Sequence, residues 1–284
     1  MTDDLLDLAL AIADRASGPE AVESFVTHER NFEVKVYEGA VESLASAEPR
    51  GAGVRVVSKA KVGFAFTTDL SDDGINALVS AARDNATHAT SDNAVALAEP
   101  SDEPQAQIAG LFDDAQSSVL PEDKVAFAME LERATRAVDE RIRNVEEAVY
   151  SDSLTHVAIA NSSGLAGSYQ RSDAWCYSMA IAEEDGDTQI GFEFDLARGI
   201  GSLDPGAVGL RAAERGLGVL RAKKIPSARM PVVFDPYTAG QFLGVLGSAL
   251  TGEAVQKGRS LFAGRIGEEV AASNLALVDD RSVW

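Results

Sequence analysis

The chain has 284 residues with 45 acidic against 25 basic side chains, so its formal charge is −20 and its sequence pI is about 4.5. This surplus of carboxylates repels phosphate backbones and anionic lipid, which argues against nucleic acid or a membrane surface as a partner. Hydrophobic residues make up 45% of the chain, enough for a buried core. At roughly 100–200 residues per domain, the length predicts two domains or slightly more.

The charged residues divide unevenly, with 7 Lys and 18 Arg against 23 Asp and 22 Glu. Acid-rich, lysine-poor surfaces suit a cytoplasm with molar salt, where the Debye length falls to about 3 Å and self-repulsion is screened. We interpret the composition as halophilic; the alternative is an ordinary acidic cytosolic protein.

Cysteine usage and the N-terminus predict a cytoplasmic location. The single cysteine, Cys176, cannot form an internal disulfide, and acidic rather than basic residues precede the first apolar positions. Apolar stretches such as 242–250 are much shorter than the ~20 residues that cross a bilayer.

The first 90 residues predict an α+β domain. Helical spacing over residues 3–16 is followed by short β-rich runs, and Ser71 is placed to cap a further helix. The predicted strands are 22–27, 32–37, 41–45, 53–58 and 62–67. Residues 91–119 lose periodicity and are rich in Ser, Asp and Pro, which indicates a linker.

Residues 120–226 predict an antiparallel β-meander with flanking helices. Pro121 and Pro205 mark two helix starts, and polar turn residues, including Ser151-Asp152, separate four strand-like runs. The predicted strands are 142–150, 154–160, 165–183 and 188–198.

Residues 227–284 predict the start of a third α/β domain. Two strands, 231–235 and 274–279, flank a helix over 236–250. A unit of this size buries too little surface for independent stability, so we expect it to be docked or incomplete.

No metal or nucleophile site follows from the spacing of the ligand-type residues. A hydrolytic zinc site commonly uses two histidines one helical turn apart with a glutamate between them, and none of His28, His88 and His156 has such a neighbour. The pattern predicts His28 at the surface near a strand end and His156 either facing solvent or in a second layer.

Three further motifs favour structural interpretations. Cys176 lies mid-strand and is interpreted as a small buried hydrophobe. The segment 253–260 resembles the end of a phosphate loop but lacks its first glycine, and Gly216-Leu-Gly218 lies within a helical pattern, so neither predicts a nucleotide site.

Three groups of motifs lie in order along the chain. The first is Gly51-Ala-Gly53-Val-Arg55-Val with Gly63-Phe-Ala-Phe-Thr67, and the second is Asn161-Ser-Ser-Gly-Leu165. The third and most specific runs from Met230-Pro-Val-Val-Phe-Asp-Pro236 through Gly252–Ser260 to Asn274–Asp280. Together these motifs resemble the TldD/PmbA family, specifically its PmbA (TldE) branch, and the resemblance covers nearly the whole chain.

The resemblance implies a metalloprotease assembly that acts on peptides. Its TldD subunit carries a His-Glu-x-x-x-His zinc motif on the helix after the Pro-Val-Val strand, and its PmbA subunit lacks that motif. The corresponding helix here, residues 242–253, has no histidine. The resemblance therefore implies a non-catalytic subunit with no cofactor of its own, whose TldD-like partner holds the zinc.

Family members continue beyond the position that matches Asp280, so we expect the third domain to be incomplete here. As candidate contacts with a peptide or with a partner (a TldD-like subunit or a second copy), we select a polar Gly-rich loop. Its residues are Gly252, Glu253, Gln256, Lys257, Gly258, Arg259 and Ser260.

A structural turn is the alternative interpretation of this loop, since its glycines allow unusual backbone angles. For the whole chain, the alternatives are a standalone binding or assembly module and a hydrolase that uses unconventional residues. Whether the chain has enzymatic activity by itself stays open at this point.

Overall fold

The computed structural model describes residues 2–100 and 108–278, with side chains from residue 4 onwards. It divides into two compact units, Met1–Ala222 and Lys223–Trp284. Within the described ranges, no helix is long and apolar enough to cross a membrane. Residues 101–107 of the predicted linker and Asp279 of the last predicted strand lie outside the described residues.

The described residues of the first unit form four α-helices and seven strands. They are α1 Thr2–Ala13, β1 Ala21–Tyr37, β2 Ala40–Ala47, β3 Arg50–Ser58, β4 Lys61–Thr67, α2 Asp72–His88, α3 Pro121–Arg136, β5 Ile142–Asn161, β6 Ala166–Glu184, β7 Asp187–Ala197 and α4 Pro205–Gly218. Two short 3-10 helices, Asp114–Ser118 and Ile200–Ser202, precede α3 and α4.

The predicted helix starts are confirmed. The Ser71 hydroxyl accepts a hydrogen bond from the Gly74 N–H at 3.2 Å and caps α2, while Pro121 and Pro205 occupy the first turns of α3 and α4. A side-chain acceptor satisfies one of the unpaired N–H groups of a first turn, and proline there lacks an N–H that would need a partner.

All strands pair antiparallel in one sheet, in the order β4-β3-β1-β5-β6-β7, with β2 paired to the second half of β1. The predicted α+β class and the antiparallel meander are therefore confirmed. The sheet is continuous from the first predicted domain into the middle one, because β1 pairs with β5 over residues 23–36 and 148–161.

The turn predicted at Ser151-Asp152 is wrong. Strand β5 passes straight through both residues, and Asp152 is buried opposite Phe32 of β1. The carboxylate tolerates this position because the Lys124 ammonium group of α3 lies 2.6 Å from Asp152 Oδ2. The long-range pairing of strands and this ion pair override the local preference for a turn.

The helices cover one face of the sheet with two separate hydrophobic clusters. The first cluster joins α1 and α2 to the β1–β3–β5 region and includes Ile12, Val22, Val26, Val54, Ile75 and Val79. The second joins α3 and α4 to β1, β5 and β6 and includes Phe32, Val34, Leu131, Tyr150, Cys176 and Val208. Cys176 is fully buried, as predicted, and burial raises the pKa of its thiol to about 12.

The two halves of this unit repeat one arrangement of helix, central strand, neighbouring strand, edge strand and helix. In the first half β2 and β3 together occupy the place that β6 has in the second. The edge strands β4 and β7 carry Gly63 and Gly191, where an added Cβ would lie 1.9 Å from a helix carbonyl oxygen, that of Ala82 or Ala212. The repeat therefore uses the same close approach of helix to edge strand twice.

On the other face of the sheet, exposed apolar side chains lie on the edge strands β4 and β7, while the central strand β1 carries polar residues there. Phe64 and Phe66 of β4 are 57% and 78% exposed, and Ile190 and Leu196 of β7 are 59% and 60% exposed. Trp175 and Tyr177 of β6 stack on the same side, with ring centroids 5.4 Å apart.

The second unit contains α5 Pro236–Ala249 and α6 Gly252–Gln256. The strands predicted at 231–235 and 274–279 are wrong for the residues the structure describes, since 231–235 and 274–278 are irregular. A strand is stabilised by a hydrogen-bonded neighbour, and no neighbouring strand exists in the described part of this unit. The predicted helix over 236–250 is confirmed, and the Asp235 carboxylate caps it by accepting from the N–H groups of Tyr237 and Thr238.

Candidate functional site

The polar loop selected from the sequence, residues 252–260, forms α6 and the turn that follows it. The Thr251 hydroxyl accepts a hydrogen bond from the Ala254 N–H at 3.2 Å and begins the helix. The N–H groups of Arg259 and Ser260 both donate to the Ala254 carbonyl oxygen, at 2.8 and 3.1 Å. Gly258 has φ +65°, a left-handed conformation that favours glycine.

The charged side chains of this loop neutralise one another. Glu253 Oε1 accepts from Lys257 Nζ at 2.7 Å and from Arg259 Nη2 at 2.9 Å. The Lys257 ammonium group, followed by the Arg259 guanidinium, lowers the pKa of Glu253, which is ionised at neutral pH. All three side chains are more than 60% exposed, so water screens these pairs and they add little to stability.

Ser260 differs from its neighbours because it is buried, and its hydroxyl accepts from the Phe262 N–H at 3.0 Å. The structure thus places the predicted residues together in one small exposed turn. Chemically the turn presents two cations and one carboxylate, held together at the surface.

The residues present do not fit the zinc site that the resemblance implies for a TldD subunit. Helix α5, at the position of the zinc motif, contains no His, Cys, Asp or Glu over Pro236–Ala249. Across the described ranges, no group of three or more such side chains is placed to hold a metal ion. Zinc in proteins takes three or four of these ligands, so this donor set cannot supply them.

A second candidate site lies at the centre of the sheet, between the two hydrophobic clusters. His28 of β1 is the direct cross-strand partner of His156 of β5, and the row continues to Arg50 of β3 and Gln170 of β6. Directly paired residues of an antiparallel sheet share a face, here the face that carries the helices. These four side chains, with Arg30 and Ser117, line a cavity of about 230 Å³, which we call the histidine cleft.

His28 is held from both sides within this cleft. Its Nε2 lies 2.7 Å from Glu48 Oε1, and its Nδ1 lies 3.4 Å from Arg50 Nη2. Since the guanidinium can only donate, Nδ1 accepts from Arg50 and the ring N–H at Nε2 donates to the carboxylate. The expectation of a surface histidine near a strand end is wrong, because His28 lies mid-strand with 16% of its side chain exposed.

His156 is the more deeply placed histidine, with 9% of the residue exposed. Its Nε2 is buried and has no hydrogen-bond partner in the described structure. Burial, followed by the neighbouring His28, lowers its pKa, so the imidazole is neutral at pH 7. Of the two predicted placements of His156, the one facing solvent is wrong, and the one in a second layer is not contradicted.

A buried network fixes the wall of the histidine cleft that carries Ser117. The neighbouring Gln116 donates to the Tyr150 hydroxyl at 3.0 Å and accepts from the Ile200 N–H at 2.7 Å. These bonds tie the 3-10 helix before α3 to strand β5 and to the segment after β7. This wall of the cleft is therefore anchored at two points.

Sequence reasoning did not identify the histidine cleft, although one signal was available. His28 has the same parity as Val22, Val26 and Val34 along β1, so alternation alone would have placed it on the buried face. The pairing of β1 with β5, which brings His156 beside it, joins segments far apart in the sequence and leaves no local pattern.

Family profiles match most of the chain. Residues 22–86 match the PmbA/TldA metallopeptidase domain 1, residues 114–220 the central domain and residues 227–283 the C-terminal domain. The chain belongs to the TldD/PmbA family. The resemblance found in the motifs is thereby confirmed.

Curated relatives of this TldD/PmbA chain are named metalloproteases. The metalloprotease PmbA of Escherichia coli O157:H7 is 26% identical over 273 residues, a match that covers 94% of this chain and 59% of the relative. The metalloprotease TldD homolog of Haemophilus influenzae is 27% identical over 251 residues, covering 82% and 50%. The matches thus span between half and about three fifths of the length of these relatives.

Solved structures share the fold. TldE from Thermococcus kodakarensis has a TM-score of 0.74 at 19% identity, over 95% of this chain and 59% of that one. A candidate modulator of DNA gyrase from Bacteroides thetaiotaomicron VPI-5482 has a TM-score of 0.84 at 21% identity, over 95% and 62%. These likenesses concern the fold of the chain.

Proposed function

We propose that this TldD/PmbA chain is a non-catalytic subunit of a metalloprotease that acts on peptides, and that it pairs with a zinc-bearing TldD-like subunit. One observation carries the proposal. In a chain of a metallopeptidase family, helix α5 offers no metal ligand over Pro236–Ala249. The zinc ion, which polarises a peptide carbonyl and activates water when bound, then belongs to the partner.

Exposed apolar side chains on the two edge strands support a role in pairing. Phe64 and Phe66 of β4, and Ile190 and Leu196 of β7, are each more than half exposed on the face opposite the helices, at opposite edges of the sheet. Exposed apolar patches on soluble proteins mark interaction sites. The edge strands β4 and β7 could also add an extended peptide as a further strand, because an edge presents unpaired backbone groups.

Co-expression with a TldD-like subunit of the same organism, followed by size-exclusion chromatography, tests the pairing. The proposal predicts one co-eluting complex whose peptidase activity is lost on chelation of zinc. Separate elution, with full activity in the TldD-like subunit alone, would instead support a standalone binding module. A complex formed by two copies of this chain, unchanged by the TldD-like subunit, would also contradict the proposal.

The loop 252–260 is our candidate for the contact with the peptide or the partner. We expect Lys257→Gln combined with Arg259→Gln to raise the KM of the reconstituted complex for peptide, or to weaken its assembly, by about tenfold. Arg265→Gln is the matched control, since Arg265 is a partly exposed arginine of the same unit that pairs with Glu268. An equal effect in the control, or none in the double variant, would assign the loop a purely structural role.

A further inference from the structure

The histidine cleft combines two features that are unusual in this chain. The first is a pair of arginines without a carboxylate partner. The chain has 45 acidic side chains, and most arginines of the described residues form an ion pair with one of them. The exceptions among the described residues are Arg30, Arg50, Arg143 and Arg229. Two of these four lie at the same cleft.

The second feature is His156, which lines the cleft and whose Nε2 is buried without a hydrogen-bond partner in the described structure. Leaving a buried polar group without a partner costs roughly 1–3 kcal/mol, so native structures rarely keep one without a use. The ring is neutral at pH 7 and therefore has one N–H to donate and one nitrogen to accept.

The remaining lining defines the ligand chemistry. Gln170 and Ser117 add an amide and a hydroxyl, while Leu5, Phe112 and Leu154 add an apolar wall. Two guanidinium groups with neutral donors suit a planar anion, because a guanidinium binds a carboxylate through two parallel hydrogen bonds. Asp4 also lines the cavity, and its carboxylate would repel a second negative charge on the ligand.

We propose that the histidine cleft binds a carboxylate group that carries an apolar substituent, with Arg30 and Arg50 pairing with the charge and His156 and Gln170 hydrogen-bonding beneath it. The cavity of about 230 Å³ accommodates a group the size of one amino acid residue. The same chemistry occurs in a free carboxylate and in the C-terminal residue of a peptide. The inference does not depend on pairing with a TldD-like subunit.

Calorimetric titration of the 284-residue chain tests the proposal with three probes: N-acetyl-leucine, acetyl-alanyl-leucine and the C-terminal amide of that dipeptide. We expect at least one free acid to bind and the amide to bind at least about tenfold more weakly, since the charge-assisted bonds are lost. Tighter binding of the dipeptide acid identifies a peptide end as the source, and equal binding of both acids identifies a free carboxylate.

Variants assign the binding to the cleft. Arg30→Gln and Arg50→Gln should each weaken the acid by about tenfold, whereas Arg143→Gln, an unpaired exposed arginine of β5, should leave it unchanged. Thermal unfolding of each variant checks the fold, because Arg30 and Arg50 are exposed and their replacement should leave the melting temperature unchanged. Equal affinity for acid and amide, no binding of any probe at millimolar concentration, or an equal loss in Arg143→Gln would overturn the proposal.

Discussion

Two charged side chains, one on α3 and one on β5, are buried between this helix and the sheet. Lys124 and Asp152 form an ion pair with side chains only 11% and 3% exposed, and Lys124 Nζ lies 4.7 Å above the Phe32 ring. Each charge is tolerable because of the other, since an isolated ion would lose its hydration without compensation. The pair lets a polar residue occupy the middle of a central strand.

Removing one partner of this pair should destabilise the fold more than removing both. We expect Lys124→Met to lower the free energy of unfolding by about 3–5 kcal/mol, because it leaves the Asp152 carboxylate buried and unpaired. The double variant Lys124→Met with Asp152→Leu should recover a large part of that loss. Urea denaturation measures all three proteins, and a single variant as stable as the wild type would contradict the account.

The lowered pKa of His156 makes stability depend on pH. The unfolded chain has the ordinary histidine pKa, so below it the unfolded state binds a proton that the folded state resists, and stability falls as the pH falls. The charged or titratable groups that line the same cleft are Asp4, His28, Arg30 and Arg50.

We therefore expect His156→Gln to flatten the decrease in unfolding free energy from pH 6.5 downwards, with little change above it. His88→Gln, at the exposed end of α2, provides the control. Denaturation at intervals between pH 7.5 and about 5 measures both slopes. A parallel acid limb in His156→Gln and wild type would refute the assignment.

At the scale of elements, the two edge strands depend on glycine for their contact with a helix. Gly63 meets the Ala82 carbonyl of α2, and Gly191 meets the Ala212 carbonyl of α4, at the same calculated distance for an added Cβ. The sequence separation of these glycines equals that of His28 and His156, the pair at the centre of the repeat.

We expect Gly63→Ala and Gly191→Ala each to destabilise the protein by about 3 kcal/mol or more, since a backbone atom cannot move away as a side chain can. Gly218→Ala at the end of α4 is the matched control, because open space surrounds that position. It should be neutral or slightly stabilising. Thermal unfolding compares the variants, and tolerance of alanine at both edge positions would argue against the repeated contact.

Local patterns in the sequence predicted most of the elements of the first unit. Capping residues such as Ser71 and Pro121 act within one helical turn, and the alternation along β6 extends over a strand, so both are visible locally. The prediction of a turn at Asp152 is wrong because the charge that stabilises the buried carboxylate belongs to Lys124, which is distant in the sequence. The strands predicted in the second unit depended on neighbours that its described part does not contain.

The sites divide in the same way. The residues of the loop 252–260 are contiguous, so the sequence could select them, and their contact with a peptide or partner stays a prediction. The histidine cleft is assembled from β1, β3, β5 and β6 by strand register. The sequence indicated only that His28 lies on the buried face of β1, through the alternation of buried and exposed positions along that strand.

At the scale of the whole molecule, the charge of −20 should make stability depend on salt. Added KCl has two opposing effects: it weakens the ion pairs at the surface, and it screens the repulsion between the surplus carboxylates. The halophilic interpretation predicts that the second effect is the larger, so that the free energy of unfolding rises between 0.1 M and about 2 M KCl. Equal stability at both concentrations would contradict the halophilic interpretation.

The central proposal, that catalysis in the proposed assembly resides in another subunit, rests on helix α5, which contains no His, Cys, Asp or Glu over Pro236–Ala249 in a chain of a metallopeptidase family. The most direct measurement is zinc content and peptidase activity, determined for this chain alone, for a TldD-like subunit alone and for the two together. The account predicts that zinc is retained by the TldD-like subunit, that this chain alone is inactive, and that the mixture has the full activity. Zinc bound by this chain alone, with chelator-sensitive cleavage of peptide, would contradict it.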